Sequence, residues 1–303
     1  RYFLVHGSLN FAILLSRRSH FGTFGAIMSP RIFDTGTEDL RTEISEGVMT
    51  ITLNRPERRN ALSDAMLEGL IASLADAETA TDVGSVLLTG AGGAFCAGGD
   101  VKGMAASGGE GGDSPLQYDA RVHLQRRSQR DTAGKLYELP KPTVAVLPGP
   151  AAGAGLSLAL SCDLRYASPN AIMTTAFARV GFSGDYGGTY FMSRLIGSAK
   201  ARELYFLSDK VTMEEAESLG LVNGVFGEEI LQQEAGAIAQ RLAQGPTIAY
   251  RYMKENLNRA VNGEMGECLD MEAAHHIHCG QTEDHKEAVQ AFVDKREPTF
   301  NGR

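Results

Sequence analysis

The sequence lacks two features that would have indicated a membrane-spanning or nucleic-acid-binding protein. No apolar run approaches the ~20 residues that a membrane-spanning helix requires. The net charge is −8 at pH 7, and Arg126, Arg127 and Arg130 fit a solvated helix face rather than a phosphate-binding stripe. The sequence therefore predicts a protein whose partners are neither membranes nor nucleic acids.

Cysteine is scarce, and its spacing is not that of a disulfide framework. The four cysteines form no CxxC pair and are Cys96, Cys162, Cys268 and Cys279. Unpaired thiols are typical of a reducing compartment. We therefore expect a cytoplasmic protein.

Acidic residues are absent from the first 33 positions, which contain four arginines. This pattern favours an upstream extension with Met28 as the natural start, but it also fits an organellar presequence, which would place the protein in an organellar matrix. We exclude residues 1–35 from the predicted fold. The predicted core spans residues 36–225, and a helical region spans residues 226–303.

Strand and helix signals alternate from residue 40 onwards. Residues 42–45 and 48–54 predict a β-hairpin, and Ser63 is a candidate N-cap for the helix that follows. After about residue 190 the pattern is almost entirely helical. The order of elements predicts a layered α/β fold with a helical C-terminal region.

Two glycine-rich turns follow apolar strands, at residues 90–100 and 149–155. Glycine allows backbone N–H groups to approach a ligand closely, and two such groups aimed at one point would stabilise a negatively charged oxygen. Alternatively, the turns are only tight strand-to-helix connections. A dinucleotide-binding turn is a poor fit, because the second turn lacks the full GxGxxG spacing and a suitable acidic residue.

A series of motifs resembles the crotonase superfamily, the enoyl-CoA hydratases and isomerases, over about residues 40–298. The motifs occur in the family's order and comprise LNRP (53–56), NAL (60–62), AFCAGGDVK (94–102), CDL (162–164), GGT (187–189), AESLGLV (216–222) and AFVDKR (291–296). The resemblance implies a spiral of ββα units, C-terminal helices that build a homotrimer or a hexamer, and an acyl-CoA thioester substrate.

The resemblance also implies an oxyanion hole that stabilises a thioester enolate. By position in the family, its donors are the backbone N–H groups of Gly99 and Ala154. Family members usually have glycine at the position of Ala154. Alanine keeps the backbone N–H group, but its methyl group narrows the space through which the thioester oxygen approaches that N–H.

Contacts with coenzyme A are implied at two places. The backbone positions that correspond to those holding adenine and pantetheine are Ala61, Leu62, Asp100 and Val101. Phe292 and Lys295 correspond to positions that often reach the CoA of a neighbouring subunit. Alternatively, Phe292 packs within the helix and Lys295 is a solvated helix end.

The acid–base residues depart from the family pattern. Typical hydratases use two glutamates, and this sequence has Ser157 and Phe177 at those positions. One carboxylate remains, Asp185. Some isomerases that this sequence resembles, such as the dienoyl-CoA and ring-epoxide phenylacetyl-CoA types, have an aspartate at the same offset. Alternatively, Asp185 is only the N-cap of the helix over residues 187–195.

The sequence therefore predicts an acyl-CoA isomerase that shifts a double bond by proton transfer, with Asp185 as the base. It predicts no metal or redox cofactor, and coenzyme A enters only as part of the substrate. One alternative is a hydratase that holds water between Ser157 and Asp185. An alternative of another class is a CoA-thioester-binding protein without catalysis. A metal site among His275, His276, His278 and Cys279 is disfavoured, because His276 lies on another face of the predicted helix.

Overall fold

The computed structural model of the protein describes residues 30–106, 108–109 and 115–303. Met28 and the rest of residues 1–29 lie outside the described residues, so the predicted presequence or extension stays a prediction there. In the described part of the chain, no helix combines the length and the apolar character needed to cross a membrane.

In the residues that the structure describes, ten strands and twelve α-helices are present, and the elements after β10 are all helices. The strands are β1 Arg31–Phe33, β2 Leu40–Ser45, β3 Val48–Leu53, β4 Ser85–Gly90, β5 Thr143–Leu147, β6 Ala151–Ala152, β7 Leu164–Ala167, β8 Ile172–Thr174, β9 Val211–Thr212 and β10 Gly224–Val225. The helices are α1 Asp64–Thr79, α2 Val101–Ala106, α3 Tyr118–Gln129, α4 Lys135–Glu138, α5 Ala154–Ser161, α6 Gly188–Ile196, α7 Ser198–Leu207, α8 Met213–Ser218, α9 Leu231–Ala243, α10 Thr247–Ala260, α11 Met265–Cys279 and α12 Glu283–Asp294.

The strands form two sheets. The larger has the order β1-β2-β3-β4-β5-β7-β10, with antiparallel pairing from β1 to β3 and parallel pairing from β3 to β10. The smaller has the order β6-β8-β9. The predicted hairpin is β2–β3, and Ser63 caps α1 by accepting a hydrogen bond from the N–H of Met66, as the sequence predicts.

Both faces of the larger sheet are covered. α1 and α5 pack in the main hydrophobic core on one face. On the other, Leu231, Ala235 and Ala239 of α9 pack against Val144 and Val146 of β5 in a second buried cluster. The region assigned by sequence to the C-terminal helices thus begins with a helix that completes the sheet's core.

The exclusion of residues 1–35 from the fold is wrong at its C-terminal end. Arg31–Phe33 form β1, which pairs antiparallel with β2 at the edge of the larger sheet. Arg31 also forms ion pairs with Asp76 and Asp82. The segment has only three residues and begins with an arginine. It forms a strand because it pairs with β2, and a pattern within the segment itself does not indicate that pairing.

Candidate active site

The two glycine-rich turns meet at one edge of the larger sheet. β4 and β5 are parallel neighbours, so the turns that follow them leave from the same end. There the N–H of Phe95 donates to the carbonyl of Pro150 at 3.1 Å, and the N–H of Ala152 donates to the carbonyl of Cys96 at 2.9 Å. Two segments separated in sequence are thus joined as a short parallel bridge.

Glycine is required where the turns touch. Gly98 has a φ of 86°, and a Cβ there would lie 2.7 Å from the carbonyl oxygen of Ala152 and 3.2 Å from the nitrogen of Ala154. A Cβ on Gly155 would lie 2.5 Å from the Cβ of Cys96. These approaches place the peptide between Gly98 and Gly99 beside the N–H of Ala154.

The two amides retain their donor capacity. α5 begins at Ala154, and Gly153 is its N-cap without a side-chain capping bond. Within the described residues, the N–H groups of Gly99 and Ala154 donate to no protein acceptor. A helix N-terminus favours negative charge, so this arrangement is chemically suited to hold an oxyanion.

Asp185 lies in a turn that α3 holds in place. The next residue, Tyr186, has a φ of 47°, a strained conformation for a bulky side chain. Its N–H donates to Oε1 of Gln129 at 2.7 Å, and its hydroxyl lies 3.1 Å from the hydroxyl oxygen of Ser128. Burial, followed by the charge of Asp185, raises the pKa of Tyr186 to about 12, so the phenol stays protonated. Packing therefore accounts for Tyr186.

Helix capping does not account for Asp185. α6 begins at Gly188, its N-cap is Gly187, and no side chain caps it. Asp185 contributes its backbone carbonyl, which accepts a hydrogen bond from the N–H of Gly188 at 3.1 Å. The carboxyl group is thus left to interact elsewhere.

The carboxyl group of Asp185 affects groups in two neighbouring segments. Its Oδ1 atom is buried. Burial raises the pKa of Cys96, in the first turn, to about 12, and the negative charge of Asp185 adds to this effect. The same charge raises the pKa of Tyr205 on α7, after burial as the larger cause. The charge of Asp185 therefore acts on groups in both the first glycine turn and α7.

The positions of the two absent glutamates are buried. Ser157 is 1% exposed and Phe177 is 6% exposed. The hydroxyl of Ser157 donates to the carbonyl of Gly153 at 3.3 Å. Gly188 packs against both Ser157 and Tyr205, and the ring of Tyr205 stacks on that of Phe177. Sequence analysis missed Tyr205, because it belongs to no motif and only the packing of α7 brings it here.

The candidate CoA contacts in the first half of the chain form one group. The N–H of Leu62 donates to the carbonyl of Gly98 at 2.8 Å. Arg55 donates to the carbonyl of Ala61 at 2.7 Å and lies 3.5 Å from the carboxylate of Asp100. The N–H of Gly103 is the main reason that the pKa of Asp100 is lowered. Val101, at the start of α2, is 48% exposed.

Phe292 and Lys295 lie apart from this group. Phe292 is 85% exposed, which does not fit packing within its own chain, and Lys295 is the exposed C-cap of α12. Within the described residues, no hydrogen bond, ion pair or ring contact joins either one to the glycine turns.

The histidines of α11 take part in packing between α10 and α11. His275 lies 2.6 Å from Asn256 through its Nδ1 atom, and its ring is 4.2 Å from that of Tyr252. His278 also contacts Tyr252, with ring centroids 5.1 Å apart. A search of the described part of the chain finds no group of three or more His, Cys, Asp or Glu placed to hold a metal ion.

Comparison with known proteins identifies the family. A sequence model of the enoyl-CoA hydratase/isomerase family matches residues 43–303. The chain is 35% identical over 266 residues to the 1,2-epoxyphenylacetyl-CoA isomerase of Escherichia coli (strain K12), with 88% of this chain and 99% of that protein covered.

Solved structures agree with this result. The enoyl-CoA hydratase of Polaromonas sp. JS666 superimposes with a TM-score of 0.80 and 30% identity, over 86% of this chain and 99% of that one. The enoyl-CoA hydratase of Bacillus anthracis superimposes with a TM-score of 0.80 and 31% identity, over 88% of this chain and 100% of that one. The chain belongs to the enoyl-CoA hydratase/isomerase family, and the expected crotonase fold and enzyme class are confirmed.

Proposed function

We propose that this enzyme is an acyl-CoA isomerase that shifts a double bond by enolate-stabilised proton transfer. The observation that carries the proposal is the position of Asp185. Its Oδ1 is buried and its charge acts on Cys96 of the first glycine turn, while the two glutamate positions hold Ser157 and Phe177. The name of the Escherichia coli relative, an isomerase, supports the same direction.

In this mechanism the N–H groups of Gly99 and Ala154 donate to the thioester carbonyl oxygen. Asp185 takes a proton from one carbon, the negative charge moves onto that oxygen, and Asp185 returns the proton to another carbon. The two donors lower the energy of the enolate by several kcal/mol in a site that excludes water. One carboxylate suffices, because the reaction neither adds nor removes water.

The coenzyme A moiety is proposed to bind along the first glycine turn. Its backbone contacts would be Ala61, Leu62, Asp100 and Val101, with Phe292 and Lys295 supplied by a neighbouring subunit. Double-bond migration leaves the oxidation state of the substrate unchanged, so we propose that the enzyme uses no redox cofactor and no metal. We further propose that it acts in the cytoplasm.

A homotrimer, or a dimer of trimers, is proposed as the working assembly. The support is a set of exposed apolar side chains on the last three helices. Their exposures are Met253 54%, Leu257 69%, Met265 78%, Ile277 66%, Phe292 85% and Val293 67%. Exposure on this scale is typical of a surface that another chain covers. Sedimentation velocity would measure the mass, and a monomer at micromolar concentration would contradict the proposal.

Asp185→Asn tests the role of the base. The substitution keeps the size of the side chain but removes its capacity to accept a proton, so double-bond migration should fall below about a tenth of the wild-type rate. The measurement is the change in conjugated-thioester absorbance. Asp209→Asn, at an exposed carboxylate after α7, is the matched control and should keep full activity.

Substrates and products decide between the family's reactions. A panel of unsaturated CoA thioesters is incubated in heavy water, and the products are read by mass. Isomerisation gives a product with the double bond moved and no added water, and deuterium enters it where the proton on Asp185 exchanges with heavy water before it is returned. A product heavier by one water would indicate the hydratase, and binding without exchange would indicate a CoA-thioester-binding protein. Activity of Asp185→Asn above a tenth of wild type would place the base elsewhere.

A further inference from the structure

Two hydroxyl groups meet deep in the candidate site. The hydroxyl groups of Ser157 on α5 and Tyr205 on α7 both face Gly188. Gly188, the first residue of α6, packs against both: a Cβ on it would lie 2.3 Å from Oγ of Ser157 and 2.4 Å from the hydroxyl oxygen of Tyr205. Three helices therefore converge on this pair, and Gly188 is the residue that leaves room for it.

The pair lies beside the proposed base and the oxyanion donors. A Cβ on Gly184 would lie 3.1 Å from the Cε1 atom of Tyr205, so the ring packs against the turn that carries Asp185. Ser157 is three residues beyond Ala154 on α5, and residues at this spacing share a helix face. A thioester held at the N–H of Ala154 would therefore lie within one helical turn of the two hydroxyls.

An aromatic ring forms one wall beside the pair. The ring of Tyr205 is stacked on that of Phe177, with centroids 5.9 Å apart and an interplanar angle of 12°. A hydrocarbon chain would meet the hydroxyls without giving them a hydrogen bond. An oxygen atom in the chain would give them one.

The pair has a proton to donate. The bond from Ser157 to the carbonyl of Gly153 is long, at 3.3 Å, and a hydroxyl hydrogen rotates to suit its partners. If the hydroxyl of Ser157 rotates towards Tyr205, it can donate to the phenol oxygen. The O–H of Tyr205 then donates its own hydrogen bond to a third group. Burial and the charge of Asp185 raise the pKa of Tyr205, so the phenol stays neutral and remains a donor.

We infer that Ser157 and Tyr205 form a specificity-determining subsite that donates a hydrogen bond to an oxygen atom of the acyl chain. The favoured substrates are then acyl-CoA thioesters whose acyl group carries an ether or alcohol oxygen close to the reacting carbons. The inference rests on the proposed function, because the thioester must bind at the glycine turns for its chain to pass the pair.

Saturated thioesters that do not isomerise provide the test. Pentanoyl-CoA and its 3-oxa and 4-oxa analogues differ only by the exchange of one methylene for oxygen, and their dissociation constants are measured by calorimetry. The wild-type enzyme should bind one oxa analogue about fivefold more tightly than pentanoyl-CoA, the effect of one net hydrogen bond. Tyr205→Phe, which retains the stacked ring, should abolish this preference.

Two further variants test the assignment. Ser157→Ala should also reduce the preference, because it removes the partner that orients the phenol. Tyr190→Phe is the matched control: its hydroxyl accepts a hydrogen bond from Asn262 at 3.2 Å, so this variant should keep the preference.

Failure of this inference differs from failure of the proposed function. Equal binding of all three thioesters by the wild type, or an equal loss for all three in Tyr205→Phe, would overturn the subsite alone. If none of the three binds, the thioester site itself is wrong. Should Tyr205→Phe fail to fold, as judged by circular dichroism, unchanged preference in Ser157→Ala would still overturn the pair.

Discussion

Gly155→Ala would test the contact between the two glycine turns most directly. Gly155 is the second residue of α5, immediately after the proposed donor Ala154. An added Cβ would lie 2.5 Å from both the Cβ and the carbonyl oxygen of Cys96 and 2.7 Å from its Sγ atom. Two of these three atoms cannot move without the backbone, so α5 must shift away from the first turn.

The expected magnitude combines two opposing effects. Alanine inside a helix is more favourable than glycine by about 0.8–1.0 kcal/mol. Overpacking a tight contact costs about 1–3 kcal/mol. The free energy of unfolding should therefore fall by up to about 2 kcal/mol. Activity should fall further, about 100-fold, because the N–H of Ala154 moves with the helix and loses its aim at the thioester oxygen.

Urea unfolding and heavy-water exchange of a thioester measure the two effects separately. Gly236→Ala on α9 is the matched control, since no heavy atom lies within 4 Å of its Cβ position. That variant should gain about 0.5–1 kcal/mol and keep full activity. Gly155→Ala with wild-type stability and activity would refute the argument that these turns are in close contact.

Two further predictions concern ion pairs outside the site. Lys254→Met should lower the free energy of unfolding by about 2–4 kcal/mol in urea, because its buried ammonium bonds Asp163 at 2.8 Å, whereas Lys200→Met on the surface should cost under about 1 kcal/mol. Arg296 holds the pKa of Glu287 at about 2, below the usual 4.5. The stabilisation of the fold by the Glu287–Arg296 ion pair is therefore complete above pH 4.5 and is lost as the pH falls towards 2. The difference in Tm between wild type and Glu287→Gln should accordingly shrink over that range, and a constant difference would contradict this assignment. Equal losses of stability in Lys254→Met and Lys200→Met would contradict the prediction for the buried ion pair.

Local patterns predicted the elements that depend on neighbouring residues. Alternating apolar residues predicted the β2–β3 hairpin, and Ser63 predicted the start of α1. The glycine spacing predicted the two turns that follow β4 and β5. Each of these signals lies within a few residues of its effect, so the chain alone carries it. The assignment of catalytic roles to Gly99, Ala154 and Asp185 stays a prediction.

The tertiary structure decided which distant groups meet. The parallel pairing of β4 and β5 brings the two turns to one edge, and α7 brings Tyr205 to Ser157. It also placed Gly187, not Asp185, at the N-cap of α6. Such contacts arise from the packing of whole strands and helices, which no local spacing encodes. The sequence by itself therefore determined the family and the parts of the site, whereas packing determined the environment of the carboxylate.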